Sequence, residues 1–171
     1  MMLNTSAMIE FMEMQKFRQK WIILIVGVIA LLSWWAFIQQ IVFESPFGSN
    51  PAPDYVIYIL LAIFGIALPL FIFGYRMETV VNADFILVKM TLLGKRLIQI
   101  DEIKECYARE YRPIMEYGGW GWRWSPSMGV AYNVTGNKGV QLKLKNGRMI
   151  LIGSQRPEQL AERINNLRKG P

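Results

Sequence analysis

WIILIVGVIALLSWWAFIQQIVF (Trp21 to Phe43) and YVIYILLAIFGIALPLFIFGY (Tyr55 to Tyr75) contain no Asp, Glu, Lys or Arg. A helix rises about 1.5 Å per residue, so roughly 20 residues match a hydrocarbon core about 30 Å thick, and both stretches reach that length. Tryptophan and tyrosine favour the headgroup level, which serves an apolar ring and a polar tip together. Trp21, Trp34, Trp35, Tyr55, Tyr58 and Tyr75, with Arg76, are therefore read as membrane-interface anchors. Pro69 removes a backbone donor and predicts a bend in the second helix, with Gly65 one turn earlier easing close packing. The connector from Glu44 to Asp54 is rich in Pro, Gly and Ser and too short to fold alone, which predicts an antiparallel hairpin. The first apolar run exceeds the roughly 7 to 15 residues of a secretory signal core, so it is expected to be retained.

The chain has 171 residues and a formal net charge of +6, unevenly spread. Residues 1–20 carry one net positive charge, the connector two negative and no base, and the residues from Arg76 onward seven positive. Lys and Arg close to a span mark its cytoplasmic side, so Lys16, Arg18, Lys20 and Arg76 predict a multi-pass cell-membrane protein with both termini cytoplasmic. The expected organisation is a cytoplasmic amphipathic juxtamembrane segment (1–20), transmembrane helix 1 (21–43), a short extracytoplasmic loop (44–54), transmembrane helix 2 (55–75) and a cytoplasmic domain (76–171). In the first segment, apolar residues including Phe11 and Met12 recur at three-to-four spacing beside Glu and Lys, predicting a helix over Ala7 to Lys20.

After Arg76 the pattern changes to short β segments: Met77 to Val81, Phe85 to Thr91, Lys95 to Ile100, Glu105 to Tyr111, Val130 to Val134, Gly139 to Lys145 and Arg148 to Gly153. Asn146-Gly147 is a strong hairpin signal, because both residues tolerate positive φ. A two-residue loop there would set Leu144 opposite Met149 and Leu142 opposite Leu151. The chain closes with a predicted helix from Pro157 to Lys169, its stripe formed by Leu160, Ala161, Ile164 and Leu167 and its last turn bearing Arg168 and Lys169.

This order of elements, about seven strands capped by a C-terminal helix, is that of a PH-like domain, α+β and mostly β. The segments Gly118-Gly-Trp-Gly-Trp-Arg-Trp124, Gly129-Val-Ala-Tyr-Asn133, Gly139-Val-Gln-Leu142 and Ile152-Gly-Ser-Gln-Arg-Pro-Glu158 resemble a group of uncharacterised prokaryotic membrane proteins that join two spanning helices to a bacterial PH-like domain. The resemblance covers Trp120 to Ile164 and implies a strongly bent sheet closed at one open end by the last helix, in a membrane setting, with no established activity. Phosphoinositide-binding PH domains use bases in the loop between their first two strands. The matching turn here, Asn82-Ala83-Asp84, has none, so that lipid chemistry does not carry over.

Function is less legible. With no histidine and one cysteine, Cys106, the usual zinc, copper, haem and His-assisted nucleophile sites lack ligands or a base, and no cofactor, metal or catalytic set is expected. Cys106 lies inside a predicted strand and reads as a buried small apolar residue. Glu105, Glu110 and Glu116 read as an exposed edge beside Arg109 and Arg112. The most unusual run places Trp120, Trp122 and Trp124 at every second position with Arg123 among them, so an extended strand would put all three rings on one face. Three roles are open to it: a wedge at headgroup depth, a partner surface, or cover for the domain's own open end. Single-stranded nucleic acid is set aside, since one short aromatic run on a tethered domain is a weak signal. The expectation is a membrane-anchored, non-enzymatic module that binds a protein partner, a second copy of itself or anionic lipid headgroups. The alternative is an accessory subunit of a larger membrane complex such as a transporter.

Overall fold

The computed structural model describes residues 9–91 and 93–169; the start of the predicted N-terminal helix, Ala7 and Met8, lies outside them. The chain forms two compact units, one of Arg18–Gly74 and one that joins the residues up to Phe17 to those from Tyr75 onward.

The first unit is a helical hairpin of α1 (Lys20–Val42) and α2 (Asp54–Gly74), both long and apolar enough to cross a membrane. Its outward side chains are apolar and exposed, Leu31 by 71% and Leu70 by 68%, while Val26, Ala36, Ile57 and Leu61 are buried. The Ser33 hydroxyl donates back to the Ile29 carbonyl within α1, while the contacts of Trp34 and Gln40 lie between the helices or at the loop. Pro69 has no N–H to give the Gly65 carbonyl four residues earlier. Just before it α2 widens into π turns over Leu61–Ala67, and the Gly65 carbonyl accepts the Trp34 indole N–H at 3.2 Å. A side chain at residue 65 would meet the Trp34 ring and Leu61, so glycine lets the ring approach. At the loop end the Gln40 amide donates to the Ala52 carbonyl and the Asp54 carboxylate, both at 2.7 Å.

Among its described residues the second unit holds nine strands, two more than expected. A four-stranded sheet runs β1 (Phe11–Lys16), β2 (Arg76–Val81), β3 (Phe85–Met90), β4 (Gly94–Gln99), all antiparallel. A five-stranded sheet is built from β5 (Ile103–Glu110), β6 (Gly121–Ser125), β7 (Gly129–Asn133), β8 (Lys138–Leu144) and β9 (Met149–Gly153) in the order β5-β8-β9-β7-β6. The β7–β9 pair is parallel and the others antiparallel. A short helix, α3 (Pro113–Tyr117), and the terminal helix, α4 (Pro157–Lys169), complete it.

The helix predicted over residues 7–20 is corrected by β1. Phe11, Glu13 and Gln15 point inward and Met12, Met14 and Lys16 outward, a period of two, and the strand pairs with β2 from Phe11 opposite Val81 to Lys16 opposite Arg76. Glu13 is 7% exposed. Its carboxylate accepts from the Gln15 amide at 2.6 Å, the Ser154 hydroxyl at 2.7 Å and the Gln155 backbone N–H at 2.8 Å. The Arg156 guanidinium reaches the Met12 carbonyl and lies over the Phe11 ring, 4.8 Å from its centroid. These ties hold β1 to the link between β9 and α4. The sheet domain is thus split in sequence, with the hairpin inserted between its first and second strands.

The hairpin register is also corrected. Leu142 lies opposite Ile150 and Val140 opposite Ile152, while the Leu144 N–H donates to the Arg148 carbonyl across a three-residue loop ending in Gly147 at φ +82. The third loop residue moves the pairing by one place, which flips a whole strand face. Val140, Leu142, Leu144, Ile150 and Ile152 now share one face with the main core, alongside Met77, Ile86, Val88 and Ile98 of the other sheet. Leu160, Ala161 and Ile164 of α4 join that core, with α4 packed on β5 and β8.

Candidate functional site

Strand alternation divides the five-stranded sheet into an inner face, lined by Cys106, Leu142, Ile150, Ile152, Tyr132, Trp122 and Trp124, and an outer face lined by Arg109, Gln141, Leu151, Ala131 and Arg123. α4 covers the inner face over β5 and β8. At the other edge β6 carries inner-face rings with little over them: Trp122 is 56% and Trp124 67% exposed. Trp122 sits opposite Tyr132 and Trp124 opposite Val130. Arg96 from β4 and Arg148 from the turn before β9 flank them, enclosing a groove of about 360 Å³ floored by Val130 and Ile150. Two guanidiniums and no carboxylate line this groove among the described residues. Burial pushes the Tyr132 phenol above its ordinary value, with the Arg96 guanidinium pulling partly back. Gly129 starts β7 at φ +76, where a side chain would strike the Met149 carbonyl, so β7 and β9 close up and fix the groove floor.

The three tryptophans do not share a face. β6 begins at Gly121, which like the preceding Gly118 and Gly119 has positive φ, and this turns the chain between Trp120 and Trp122. Trp120 instead donates its indole N–H to the Gly136 carbonyl at 2.9 Å. Arg123 lies on the opposite face from Trp122 and donates from Nε to the Trp120 carbonyl at 3.0 Å. Of the four residues singled out in the sequence, Trp122 and Trp124 meet in the groove, while Trp120 and Arg123 lie outside its lining. The sequence missed Arg96, Arg148 and Tyr132, because they come from β4, β9's turn and β7, far apart along the chain.

The interface residues expected in the hairpin divide similarly. Trp34 reaches Gly65 as described, Trp35 stacks edge-on to Phe47 and Tyr58 to Phe37. Trp21 and Tyr55 are exposed. Tyr75 is buried in the main core of the sheet domain, and Arg76 opens β2.

A second cluster covers the outer face. α3 ends in a left-handed Gly118, whose N–H and that of Gly119 cap the Ile114 and Pro113 carbonyls. The helix thereby places Tyr117 against Tyr111, Ala131 and Leu151. Arg109 donates to the Glu116 carboxylate at 2.8 Å and the Gln141 carbonyl oxygen at 3.1 Å. Glu116 is therefore no exposed edge. Burial raises its carboxyl, but the Arg109 guanidinium and the Arg112 N–H outweigh that and hold it below the usual carboxylate range. Cys106 is buried in the main core, and burial pushes its thiol up to about 12, the state of a packing residue and not of a nucleophile.

Compared with known proteins, the chain matches over residues 2–167 a model described as a family of unknown function, DUF6141. No curated protein and no solved structure matches it.

Proposed function

We propose that this chain, which belongs to the DUF6141 family, is a membrane-anchored, non-enzymatic interaction module whose sheet domain, PH-like in plan, works at the cytoplasmic face. α1 and α2 act as its two spans. Because β1 and the strands after α2 belong to one folded unit, a hairpin that crosses twice leaves both ends of the chain on the same side. Lys16, Arg18, Lys20 and Arg76 beside the spans, against a connector with no base, favour the cytoplasm for that side.

The observation that carries the functional reading is the groove at the open edge of β6. Exposed indoles beside guanidiniums are the side chains most enriched where proteins bind tightly. A carboxylate-bearing partner segment with an aromatic or aliphatic anchor suits it: Arg96 and Arg148 offer planar forks to acids, and Trp122 and Trp124 offer stacking area. A photo-crosslinking residue in place of Trp124, in the full chain in its native membrane, tests this. The expected product is a discrete protein adduct that disappears with Arg96→Glu and Arg148→Glu. Adducts only to lipid, or a protein adduct indifferent to both charge reversals, would overturn the reading.

A further inference from the structure

We propose that the end of the four-stranded sheet bearing Lys16, Arg76, Lys89 and Lys95 is a binding surface for the phosphate headgroups of anionic phospholipids. This rests on the reading of α1 and α2 as spans and uses residues apart from the tryptophan groove.

Strand direction brings the four cations together. β1 ends at Lys16 opposite the start of β2 at Arg76, and β3 ends beside the start of β4 with Lys89 opposite Lys95. The Thr91 N–H donates to the Arg76 carbonyl at 2.9 Å, closing this end of the sheet. The other end is acidic: Glu10 precedes β1, Asp84 lies in the β2–β3 turn, and Asp101 and Glu102 follow β4, with the Ile100 N–H donating to the Asp84 carbonyl at 2.9 Å. The sheet is therefore charge-polarised along its strands.

The chain's own path decides which end meets the bilayer. It leaves for α1 after Lys16 and returns from α2 before Arg76, both at the basic end. The connections are Phe17 to Gln19 and Tyr75 alone. At about 3.6 Å per residue these reach at most roughly 14 Å and 7 Å between flanking Cα atoms. Headgroup layers are roughly 5–8 Å deep, so the basic end is held within reach of them.

The surface is built for an anion. Lys89 and Lys95 are exposed and directly opposite, a like-charge pair that costs stability, and Glu78, opposite Lys89 on β2, is the one carboxylate set against them and Arg76 in the groove at this end. Among the described residues neither has an ion-pair partner. An open groove of about 480 Å³ lies here, lined by Arg76, Lys89, Lys95 and the exposed Met14, with Glu78 its one carboxylate. A phosphodiester supplies the missing charge, while Met14 and the lysine stems suit the apolar boundary beneath it.

The test reconstitutes the full chain in phosphatidylcholine vesicles with trace spin-labelled phosphatidylglycerol or spin-labelled phosphatidylcholine, and reads by electron paramagnetic resonance the fraction of each held immobile. Phosphatidylglycerol is expected to be held in preference. Lys89→Ser and Lys95→Ser, which sit away from the chain connections, should reduce that preference about fivefold each, while Lys89→Arg with Lys95→Arg keeps it. Arg96→Ser with Arg148→Ser should leave it unchanged. Equal holding of the two lipids, or a preference that survives loss of both lysines, overturns the site. So does its abolition by inorganic phosphate at constant ionic strength, which would make the ligand a soluble anion. Retention in the vesicles through a carbonate wash without lipid preference overturns the site alone, whereas release by that wash overturns the span reading with it.

Discussion

The hairpin and the sheet domain solve opposite problems with opposite surfaces. Leu31, at the middle of α1, is 71% exposed, and Leu142, at the middle of β8, is fully buried. In the hairpin the polar groups turn inward, Trp34 to Gly65 and Gln40 to Asp54. In the sheet domain apolar residues of both sheets turn inward and lysines turn out. Water around the hairpin would leave a long apolar surface unsatisfied, while lipid around it makes internal hydrogen bonds the favourable contacts. If α1 and α2 span a membrane as proposed, one chain is folded for two solvents, and β1 ties the residues before the hairpin to the strands after it.

The largest expected effect breaks that tie. Deleting residues 1–17 strips β2 of one of its two partners and uncovers Met77 and Val81, so the sheet domain should fail to fold, as read by near-ultraviolet circular dichroism and protease resistance. Joining residues 9–17 to 75–169 through a short Gly/Ser linker, which replaces the hairpin between paired Lys16 and Arg76, should give a folded, detergent-free domain. A domain that folds equally well without β1 would sink the view of the hairpin as an insertion.

The two leucines sharpen the comparison next. Leu142→Ala should cost the sheet domain about 2–5 kcal/mol in denaturant unfolding, through lost transfer energy and a cavity. Leu31→Ala should leave the protein's thermal stability in detergent nearly unchanged, whereas Leu31→Asp at the helix centre should cost insertion about 3 kcal/mol in a translocon assay. Similar responses to both alanines would erase the distinction. Glu13→Ala should destabilise by about 3 kcal/mol, since the Ser154 hydroxyl and the Gln155 N–H lose their acceptor in a buried place. Inside the hairpin, Trp34→Phe removes one hydrogen bond to Gly65 and should cost only about 0.6 kcal/mol.

A last test concerns pH. The Cys106 thiol is raised from 9.0 to about 12 in the fold, so its protonated form is favoured there. Its contribution to stability is fully present below pH 9 and is lost as pH rises toward about 12. Unfolding followed across the alkaline range should show that decline in the native protein and its loss in Cys106→Ala. Alkylation at pH 8 should be slow until denaturant is added.

Much of the fold was legible because its signals are local. The seven anticipated strands and the Pro157–Lys169 helix appear near their expected bounds, since alternation and a three-to-four stripe are properties of neighbouring residues. β1 was not legible: Phe11, Glu13 and Gln15 alternate with Met12, Met14 and Lys16, but an inward carboxylate hides the period of two, and only Ser154 and Gln155 make it a core position. The Leu142 register was missed for a smaller reason, one more residue in the loop at Asn146-Gly147. In the groove, Trp122 and Trp124 announced themselves by spacing, whereas Arg96 and Arg148 are ordinary surface arginines until two sheets bring them to the same edge.

The sequence by itself determined that two helices of this chain are long and apolar enough to cross a membrane, and that a basic, strand-rich domain with a terminal helix follows, because hydropathy and periodicity act over a few residues at a time. Only the tertiary structure decided that the domain begins before the hairpin, which inward face Leu142 and Ile150 share, and which cations stand beside which rings. Those are matters of pairing between segments distant in sequence, fixed by burial and hydrogen bonding across the fold and not by any stretch of chain alone.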